Sequence, residues 1–177
     1  RCSLAEQNEK IVMHISNFRP VKRVTDVVRA FKKISDSVPA RLVMVGDGPE
    51  RMSAVGVAKQ LGIADRIKYL GNQPDMEEII PCADLILQPS EHESFGLVSL
   101  EAMACKVPVV ATASGGVCEV VENGVTGYLC EVGDIDMMAR HAIEILTDPD
   151  LAQEMGLQGR QRAEELFGKD KIVLEYE

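Results

Sequence analysis

Short runs of β-branched and apolar residues alternate with helical stretches along the chain, and this alternation constrains the fold more than any other feature. Such repetition is the pattern of βαβ units, whose strands pair in a parallel sheet. Several runs are continuously apolar, as strands covered on both faces are. We therefore predict an α/β fold, a parallel sheet with helices on both faces, with strands at Ile11 to Ser16, Arg41 to Gly46, Ile67 to Leu70, Leu85 to Gln88, Val107 to Ala111 and Gly127 to Cys130.

Four segments carry apolar residues at helical spacing. They are Arg23 to Ser37, Glu50 to Leu61, Asp134 to Leu146 and Pro149 to Phe167. No strand separates the last two, so we expect them to cap the sheet edge or to fold back onto a neighbouring domain. The whole chain, residues 1–177, is predicted to be a single domain, since a chain of this length buries roughly 70% of its unfolded surface without a disulfide or metal.

Charge and composition exclude several classes of partner. With 28 Asp and Glu against 19 Lys and Arg, the net charge is −9, which argues against nucleic acid and acidic membranes as partners. No run approaches the ~18 apolar residues of a membrane span. The chain begins with Arg1 rather than Met, so we expect a piece of a longer protein that lacks its N-terminal neighbour.

The five cysteines are odd in number and lie 12 or more positions apart, so neither a CxxC motif nor a zinc knuckle is present. We expect small buried residues in a reducing cytoplasm, with a catalytic thiol as the alternative. The three histidines are scattered and form no metal-binding spacing.

The stretch from Pro89 to Ala104 follows a predicted strand and opens a helix. In open parallel sheets, ligands bind beyond the carboxyl ends of the strands, where loops meet helix N-termini. Ser94 is suited to cap this helix, and Gly96 lets a ligand approach the backbone closely. We predict that the N–H groups of Phe95, Gly96 and Leu97 bind a phosphate or diphosphate.

Two carboxylates belong to the same stretch. Glu101 lies in an apolar helical segment with no Lys or Arg three or four positions away, so a half-buried carboxylate there needs a donor, such as a ribose diol. The alternative is a side chain that faces solvent or pairs with a distant base. Glu93 precedes the helix and is placed to bind hydroxyls of a second ring beyond the phosphate, or is merely a solvated loop residue.

A cationic segment follows the first predicted strand. Arg19, Lys22 and Arg23 lie within five residues at a strand-to-helix junction, where an anion is expected to bind. The alternative is a solvated basic edge. Because a second anion site is predicted after the fourth strand, we favour a bound diphosphate that Lys22 and Arg19 neutralise.

Three glycine-rich turns also follow predicted strands, and each has two interpretations. Gly46 to Pro49 either contacts the ligand through Gly48 or is only a tight turn. Ser114 to Gly116 forms a backbone nest near the ligand or a flexible turn. Asn72 and Gln73 offer amide groups to a flat base edge or belong to a plain turn.

Taken in order, these motifs resemble the C-terminal, donor-binding domain of a retaining glycosyltransferase of the GT-B type, family 4. The resemblance covers about Ile11 to Phe167 and implies a Rossmann-like fold. It rests on Val45-Gly46-Asp47-Gly48-Pro49, Leu70-Gly71-Asn72, Ala83-Asp84, Pro89-Ser90, Glu93-Ser94-Phe95-Gly96, Glu101-Ala102-Met103-Ala104, Pro108-Val109-Val110-Ala111 and Gly115-Gly116-Val117-Cys118-Glu119.

The resemblance implies roles for individual acidic and backbone groups. The family's first glutamate falls on Glu93, which would hold a hydroxyl of the donor sugar, and the second falls on Glu101, which would hold the ribose. Backbone amides from Ser94 to Leu97 would face the diphosphate.

Two positions depart from the family pattern. The family's lysine falls on Lys22, but its usual arginine is replaced by Asn17, which leaves Arg19 as the substitute. Lys106 stands where members commonly have glycine.

Details within residues 16–23 and 93–98 resemble members that use UDP-N-acetylglucosamine as the donor and L-malate as the acceptor, with retention of the anomeric configuration. The implied partners are a UDP-sugar and the missing N-terminal domain, and self-association of the isolated domain is also expected. No cofactor is expected, and no metal is required if fixed cations and a helix N-terminus stabilise the departing phosphate. In agreement, the two Asp-x-Asp triplets, at Asp134 and Asp148, each open a late helix rather than follow a strand. The alternatives are one half of a nucleotide-sugar epimerase and a non-catalytic nucleotide-sugar-binding module.

Overall fold

The computed structural model describes residues 4–167, and within that range six β-strands alternate with seven α-helices. The strands are β1 (Lys10–Ile15), β2 (Ala40–Val45), β3 (Ile67–Gly71), β4 (Leu85–Gln88), β5 (Val109–Thr112) and β6 (Gly127–Cys130). The helices are α1 (Val24–Ser35), α2 (Arg51–Gln60), α3 (Met76–Ile79), α4 (Leu97–Ala104), α5 (Val117–Val120), α6 (Ile135–Thr147) and α7 (Pro149–Phe167). Every predicted strand and every bounded predicted helix is present within two residues of its expected bounds.

All six strands are parallel, in the order β3-β2-β1-β4-β5-β6. The chain builds outward from β1 to β3, then returns to the centre and builds in the other direction from β4 to β6. This order is the one of doubly wound dinucleotide-binding folds, and it places a crevice between β1 and β4, where the two directions meet. We call this point, at the carboxyl ends of β1 and β4, the switch point.

Helices cover both faces of the sheet, as predicted. On one face, strand residues such as Val12 and Leu42 pack against α1, α2 and α6. On the other face, neighbours along the same strands, such as Ile11 and Val43, pack against α4, α5 and the segment around Ile80. Since side chains alternate between faces, both faces can be apolar only when the run is continuously apolar, as it is here.

The last two helices pack against the sheet and the helices that cover it. Helix α6 lies on the sheet face beside α1 and packs against β4 and β5. Helix α7 begins on that face through Met155, packs against α4 and ends on the opposite face through Ala163. Its Arg160 and Arg162 donate to the carbonyls of Ala104 and Val120 at 2.5 and 2.8 Å, so α7 satisfies the C-terminal ends of α4 and α5.

Two short helices, α3 and α5, were not predicted from the sequence. Within residues 4–167, none of the helices is long and apolar enough to cross a membrane.

Candidate functional site

Two loops meet at the switch point, one after β1 and one after β4. The Glu91 N–H donates to the Val21 carbonyl at 2.8 Å, which fixes the two backbones against each other. The ammonium of Lys22 pairs with the Glu93 carboxylate across the same junction. Sequence reasoning singled out Lys22 and Glu93 separately, and the structure brings them into contact although they lie 71 positions apart.

The pair of Lys22 and Glu93 is only partly shielded, with 19% and 27% of the respective side chains exposed. Arg23, the third cation of the predicted cluster, is instead committed to structure: it binds the buried carboxylate of Asp26 at 2.6 Å and lies 4.0 Å from Glu91. Arg19 is exposed and has no ion-pair partner within residues 4–167, and Lys22 is paired with Glu93, itself a predicted site residue.

Helix α4 begins at the mouth of the crevice. Gly96 precedes it in the left-handed conformation, at φ 85°, and no side chain caps the helix. The first helical hydrogen bond runs from the Leu100 N–H to the Gly96 carbonyl, at 3.0 Å. The N–H groups of the first turn carry the positive end of the helix dipole, which is the arrangement that binds phosphate.

The prediction that Ser94 caps α4 is wrong. Ser94 is exposed and lies two residues before the cap position, which Gly96 occupies. Gly96, in the left-handed conformation, lies between Ser94 and the first helical residue, Leu97. Phe95 and Leu97 are 45% and 57% exposed at the rim of the crevice.

The loop after β5 packs against the backbone of the Glu93 loop. The Gly116 N–H donates to the Glu93 carbonyl at 3.0 Å. A Cβ at Gly115 would lie 2.1 Å from the Glu93 oxygen, and one at Gly116 would lie 2.5 Å from the Ser94 oxygen. The glycines of this turn permit a close backbone contact with the Glu93 loop, and both interpretations of the turn stay predictions.

The glycine-rich turn after β2 supports the β1 loop in the same way. A Cβ at Gly46 would lie 1.8 Å from the Ser16 oxygen, and one at Gly48 would lie 2.0 Å from the Asn17 oxygen. The next residue of that loop, Phe18, accepts a hydrogen bond from the Glu50 N–H at 2.9 Å. Gly48 thus lies against the loop that carries the cations, while Asn17 is exposed.

Glu101 lies one turn into α4 and faces a groove of about 370 Å³. Pro74 and Met76, from the segment after β3, form the opposite wall. The carboxylate is half-buried and has no hydrogen bond or ion pair within residues 4–167, and burial raises its pKa. A half-buried carboxylate without a protein donor is a strong acceptor for a ligand hydroxyl.

Asn72 and Gln73 lie at the end of β3, next to Pro74 and therefore beside the Glu101 groove. Asn72 is exposed, and the Gln73 amide nitrogen donates to the Leu70 carbonyl at 2.8 Å. Because β2 separates β3 from β1, this end of the site lies about 10 Å from the β1 loop. The predicted residues thus fall into two adjoining parts, a charged centre at the switch point and a groove along α4.

Within residues 4–167, no cluster of three or more His, Cys, Asp or Glu is arranged to hold a metal ion. Cys82, Cys105, Cys118 and Cys130 form no disulfide in this range, and Cys2 lies outside the described residues. Of these four, Cys130 alone is buried and Cys118 is exposed, so the prediction of uniformly buried cysteines is wrong.

His14 lies beside the site, and sequence reasoning did not single it out. It lies on β1 at the switch point, is fully buried, and hydrogen-bonds to both β4 and the β1 loop. A polar residue in the otherwise apolar run Ile11 to Ile15 is the signal that could have found it.

Comparisons with known proteins identify the family of this chain. Residues 2–162 match the family model described as glycosyl transferases group 1. The chain is 52% identical, over 97% of its length, to the N-acetyl-alpha-D-glucosaminyl L-malate synthase of Bacillus anthracis, of which it covers 45%.

Among solved structures, the sucrose-phosphate synthase of Thermosynechococcus elongatus is 31% identical with a TM-score of 0.87, over 96% of this chain and 44% of that one. HepE of Anabaena in complex with UDP-glucose is 28% identical with a TM-score of 0.87, over 95% of this chain and 47% of that one. The chain thus spans less than half the length of these relatives. It belongs to the glycosyl transferases group 1 family.

Proposed function

We propose that this chain binds the nucleotide-sugar donor, UDP-N-acetylglucosamine, for a metal-independent glycosyltransferase that retains the anomeric configuration and transfers the sugar to L-malate. The observation that carries the proposal is the pairing of Lys22 with Glu93 in front of the uncapped N-terminus of α4. Within one crevice, a cation and a helix N-terminus suit the diphosphate of such a donor, and a carboxylate suits a hydroxyl of its sugar.

In this proposal, the diphosphate binds at the N-terminus of α4. The backbone N–H groups of Ser94 to Leu97 donate to its oxygens, and Lys22 and Arg19 neutralise its charge. Family members usually have an arginine at the position of Asn17, and in this chain Arg19 would neutralise the diphosphate in its place. Support comes from the partners of the three cations: Arg23 is engaged by Asp26, whereas Lys22 pairs with the site residue Glu93 and Arg19 has no ion pair within residues 4–167.

The nucleoside lies along the groove beside α4. Glu101 accepts hydrogen bonds from the ribose diol, which supplies the donors that the protein does not. Asn72 and Gln73 precede Pro74 of the groove wall, and in this proposal they contact the base. A groove of about 370 Å³ falls within the range of small-molecule sites.

The sugar lies beyond the diphosphate, against Glu93. When the donor binds, the Lys22 ammonium turns from Glu93 to a phosphate oxygen, and the released carboxylate accepts a sugar hydroxyl. The ion pair therefore holds both groups at the site until the ligand replaces each partner.

The chemical step forms a bond between the malate hydroxyl oxygen and the anomeric carbon, breaks the bond between that carbon and the β-phosphate oxygen, and transfers the hydroxyl proton to the departing phosphate. Negative charge develops on the departing UDP, and Lys22, Arg19 and the α4 N-terminus stabilise it. These groups do the work that a metal ion does in other transferases, so no metal is required in this proposal. The acceptor would bind to a second domain, since the relatives are more than twice as long as this chain.

The choice of sugar and acceptor is supported by the relative from Bacillus anthracis, which is named for N-acetylglucosamine and L-malate and is 52% identical. The choice of UDP is supported by the UDP-glucose complex of HepE.

The test is sugar transfer by the full-length protein that contains this chain, with UDP-N-acetylglucosamine, L-malate and EDTA present. NMR of the product should show an α-glycoside of malate, and Glu93→Gln and Lys22→Met should each lower kcat at least 100-fold. Glu91→Gln, an exposed carboxylate two residues from Glu93, is the matched control and should retain activity. Dependence on added metal, or full activity of both variants, would contradict the proposal.

A further inference from the structure

His14 has no part in the function proposed above, yet it occupies the switch point. Its side chain is fully buried, and it lies one residue before the end of β1. Its ring contacts two elements at once: Nδ1 lies 2.8 Å from the Leu87 carbonyl on β4, and Nε2 lies 2.8 Å from the Ser16 hydroxyl on the β1 loop. This buried polar ring therefore links β4 to the loop that follows β1.

The hydrogen-bond partners determine the tautomer. A carbonyl oxygen can only accept, so Nδ1 must carry the proton that is shared with Leu87. Burial lowers the pKa of His14 to about 4, so the ring is neutral near pH 7 and Nε2 has a free lone pair. Nε2 therefore accepts from the Ser16 hydroxyl, which gives the hydroxyl one orientation only.

The Ser16 hydroxyl in turn hydrogen-bonds to the backbone of the loop. Its oxygen accepts from the Phe18 N–H at 3.3 Å. Phe18 has a positive φ of 42°, which is uncommon for an aromatic residue, and its ring is fully buried, 6.1 Å from the His14 ring. Strained backbone of this kind persists only where its surroundings fix it.

We infer that His14 is a positioning residue, which holds residues 16–22 in their ligand-binding conformation by linking Ser16 and Phe18 to the Leu87 carbonyl of β4. The ligand in question is the diphosphate of the proposed function, on which this inference rests. The same link fixes the Lys22 backbone relative to Glu93, since Lys22 follows Phe18 through a single 3-10 turn, Pro20–Lys22.

Four variants of the chain separate this role from general stability. Ser16→Ala removes only the link to the loop, and His14→Phe removes both links. His14→Gln keeps an acceptor for Ser16 and serves as the conservative replacement. Val12→Ala is the matched control, a fully buried apolar residue two positions earlier on β1 and on the same face.

The measurements are amide hydrogen exchange of residues 16–22, the imidazole ¹⁵N spectrum and UDP affinity. We expect a neutral ring protonated at Nδ1. We also expect faster exchange of the Phe18 amide in Ser16→Ala and His14→Phe, with UDP affinity lower by about five- to tenfold, the effect of roughly one lost hydrogen bond. His14→Gln should recover most of both.

The inference is overturned if Ser16→Ala changes loop exchange no more than Val12→Ala does, or if the ring is protonated at Nε2. It is also overturned if loop exchange quickens while UDP affinity stays at the wild-type value. Failure of the wild-type chain to bind UDP would instead refute the donor-binding proposal, and the exchange data would still decide whether His14 positions the loop.

Discussion

Glu101 combines two properties that seldom occur together in a structural residue: it is half-buried, and it has no donor within residues 4–167. Burial raises its pKa above the ordinary 4.5, so the ionised side chain costs stability at neutral pH, and that cost disappears as the pH falls through the raised pKa. We predict that Glu101→Gln has an unfolding free energy at pH 7 at least equal to that of the wild type. In the same variant, UDP affinity should fall about 10- to 100-fold, as expected for loss of hydrogen bonds to a charged group.

Urea unfolding and calorimetric titration of the same protein samples measure both quantities. Glu77→Gln is the matched control, because Glu77 lines the same groove but is exposed. A Glu101→Gln variant that loses stability but keeps its UDP affinity would assign the residue to the fold rather than to the ligand.

His14 makes a prediction about acid. Its pKa is about 4 in the fold and 6.5 in the unfolded reference, so the unfolded chain binds more protons between these values. Stability therefore rises with pH across this window, and it should fall by about 3 kcal/mol as the pH is lowered from 6.5 to 4. Urea unfolding at several pH values measures the slope. The His14→Gln variant should lose the part of the pH dependence of stability that is due to His14. An unchanged pH dependence would contradict the lowered pKa of His14 in the fold.

For single residues, the sequence predicts the chemical environment of a side chain better than it predicts which distant residue the side chain contacts. Glu101 could be expected to be half-buried because its helix is apolar around it. The contact between Lys22 and Glu93 could not be predicted, since it depends on β1 and β4 being neighbours in the sheet. The Ser94 cap failed because the left-handed φ of Gly96, which packs against Val117, determines where α4 begins.

The turn between β2 and α2 can pack this closely against the β1 loop only because Gly46 and Gly48 have no side chains. Gly46 has a φ of 110°, and a Cβ there would lie 1.8 Å from the Ser16 oxygen. We predict that Gly46→Ala lowers the unfolding free energy by several kcal/mol, roughly 2 to 4, and weakens UDP binding because the loop must move.

Gly56→Ala is the control for this substitution, since Gly56 lies within α2 and a Cβ added there would meet no atom within 4 Å. This variant should be more stable by about 0.5 to 1 kcal/mol, because alanine is the better helix former. Thermal unfolding compares the two. Equal effects of the two substitutions would mean that the turn does not pack as described.

Helices and strands could be predicted where a segment is long enough to show the spacing of apolar residues typical of each. The inner strands β1, β2, β4 and β5 are largely buried on both faces and consist mostly of apolar residues, which makes them easy to recognise. Helices α3 and α5 have four residues each, about one turn, which is too short to display helical spacing. The position of α6 beside α1 depends on packing between distant segments, and local spacing carries no information about it.

The molecule as a whole is negatively charged, at −9, yet it is proposed to bind an anion. Binding must therefore come from local groups at the switch point, and a ligand that binds only the folded chain raises its stability. At 100 times the Kd, UDP should add about 2.7 kcal/mol, which corresponds to roughly 5–10 °C in Tm for a chain of this size.

This shift should be the same with EDTA present, because the proposal assigns the charge of the diphosphate to Lys22, Arg19 and α4. Uridine, which lacks the diphosphate, should produce a much smaller shift. A UDP-induced shift that EDTA abolishes would show that a metal ion takes part in binding.

The most direct measurement is calorimetric titration of the chain with UDP and with ADP, in EDTA, for the wild type and for Lys22→Met and Glu101→Gln. The account predicts that UDP binds more tightly than ADP and that each substitution weakens UDP binding by ~1 to 3 kcal/mol. Absence of UDP binding at millimolar concentration, or binding that neither substitution changes, would contradict the assignment of the donor site to the switch point and the α4 groove.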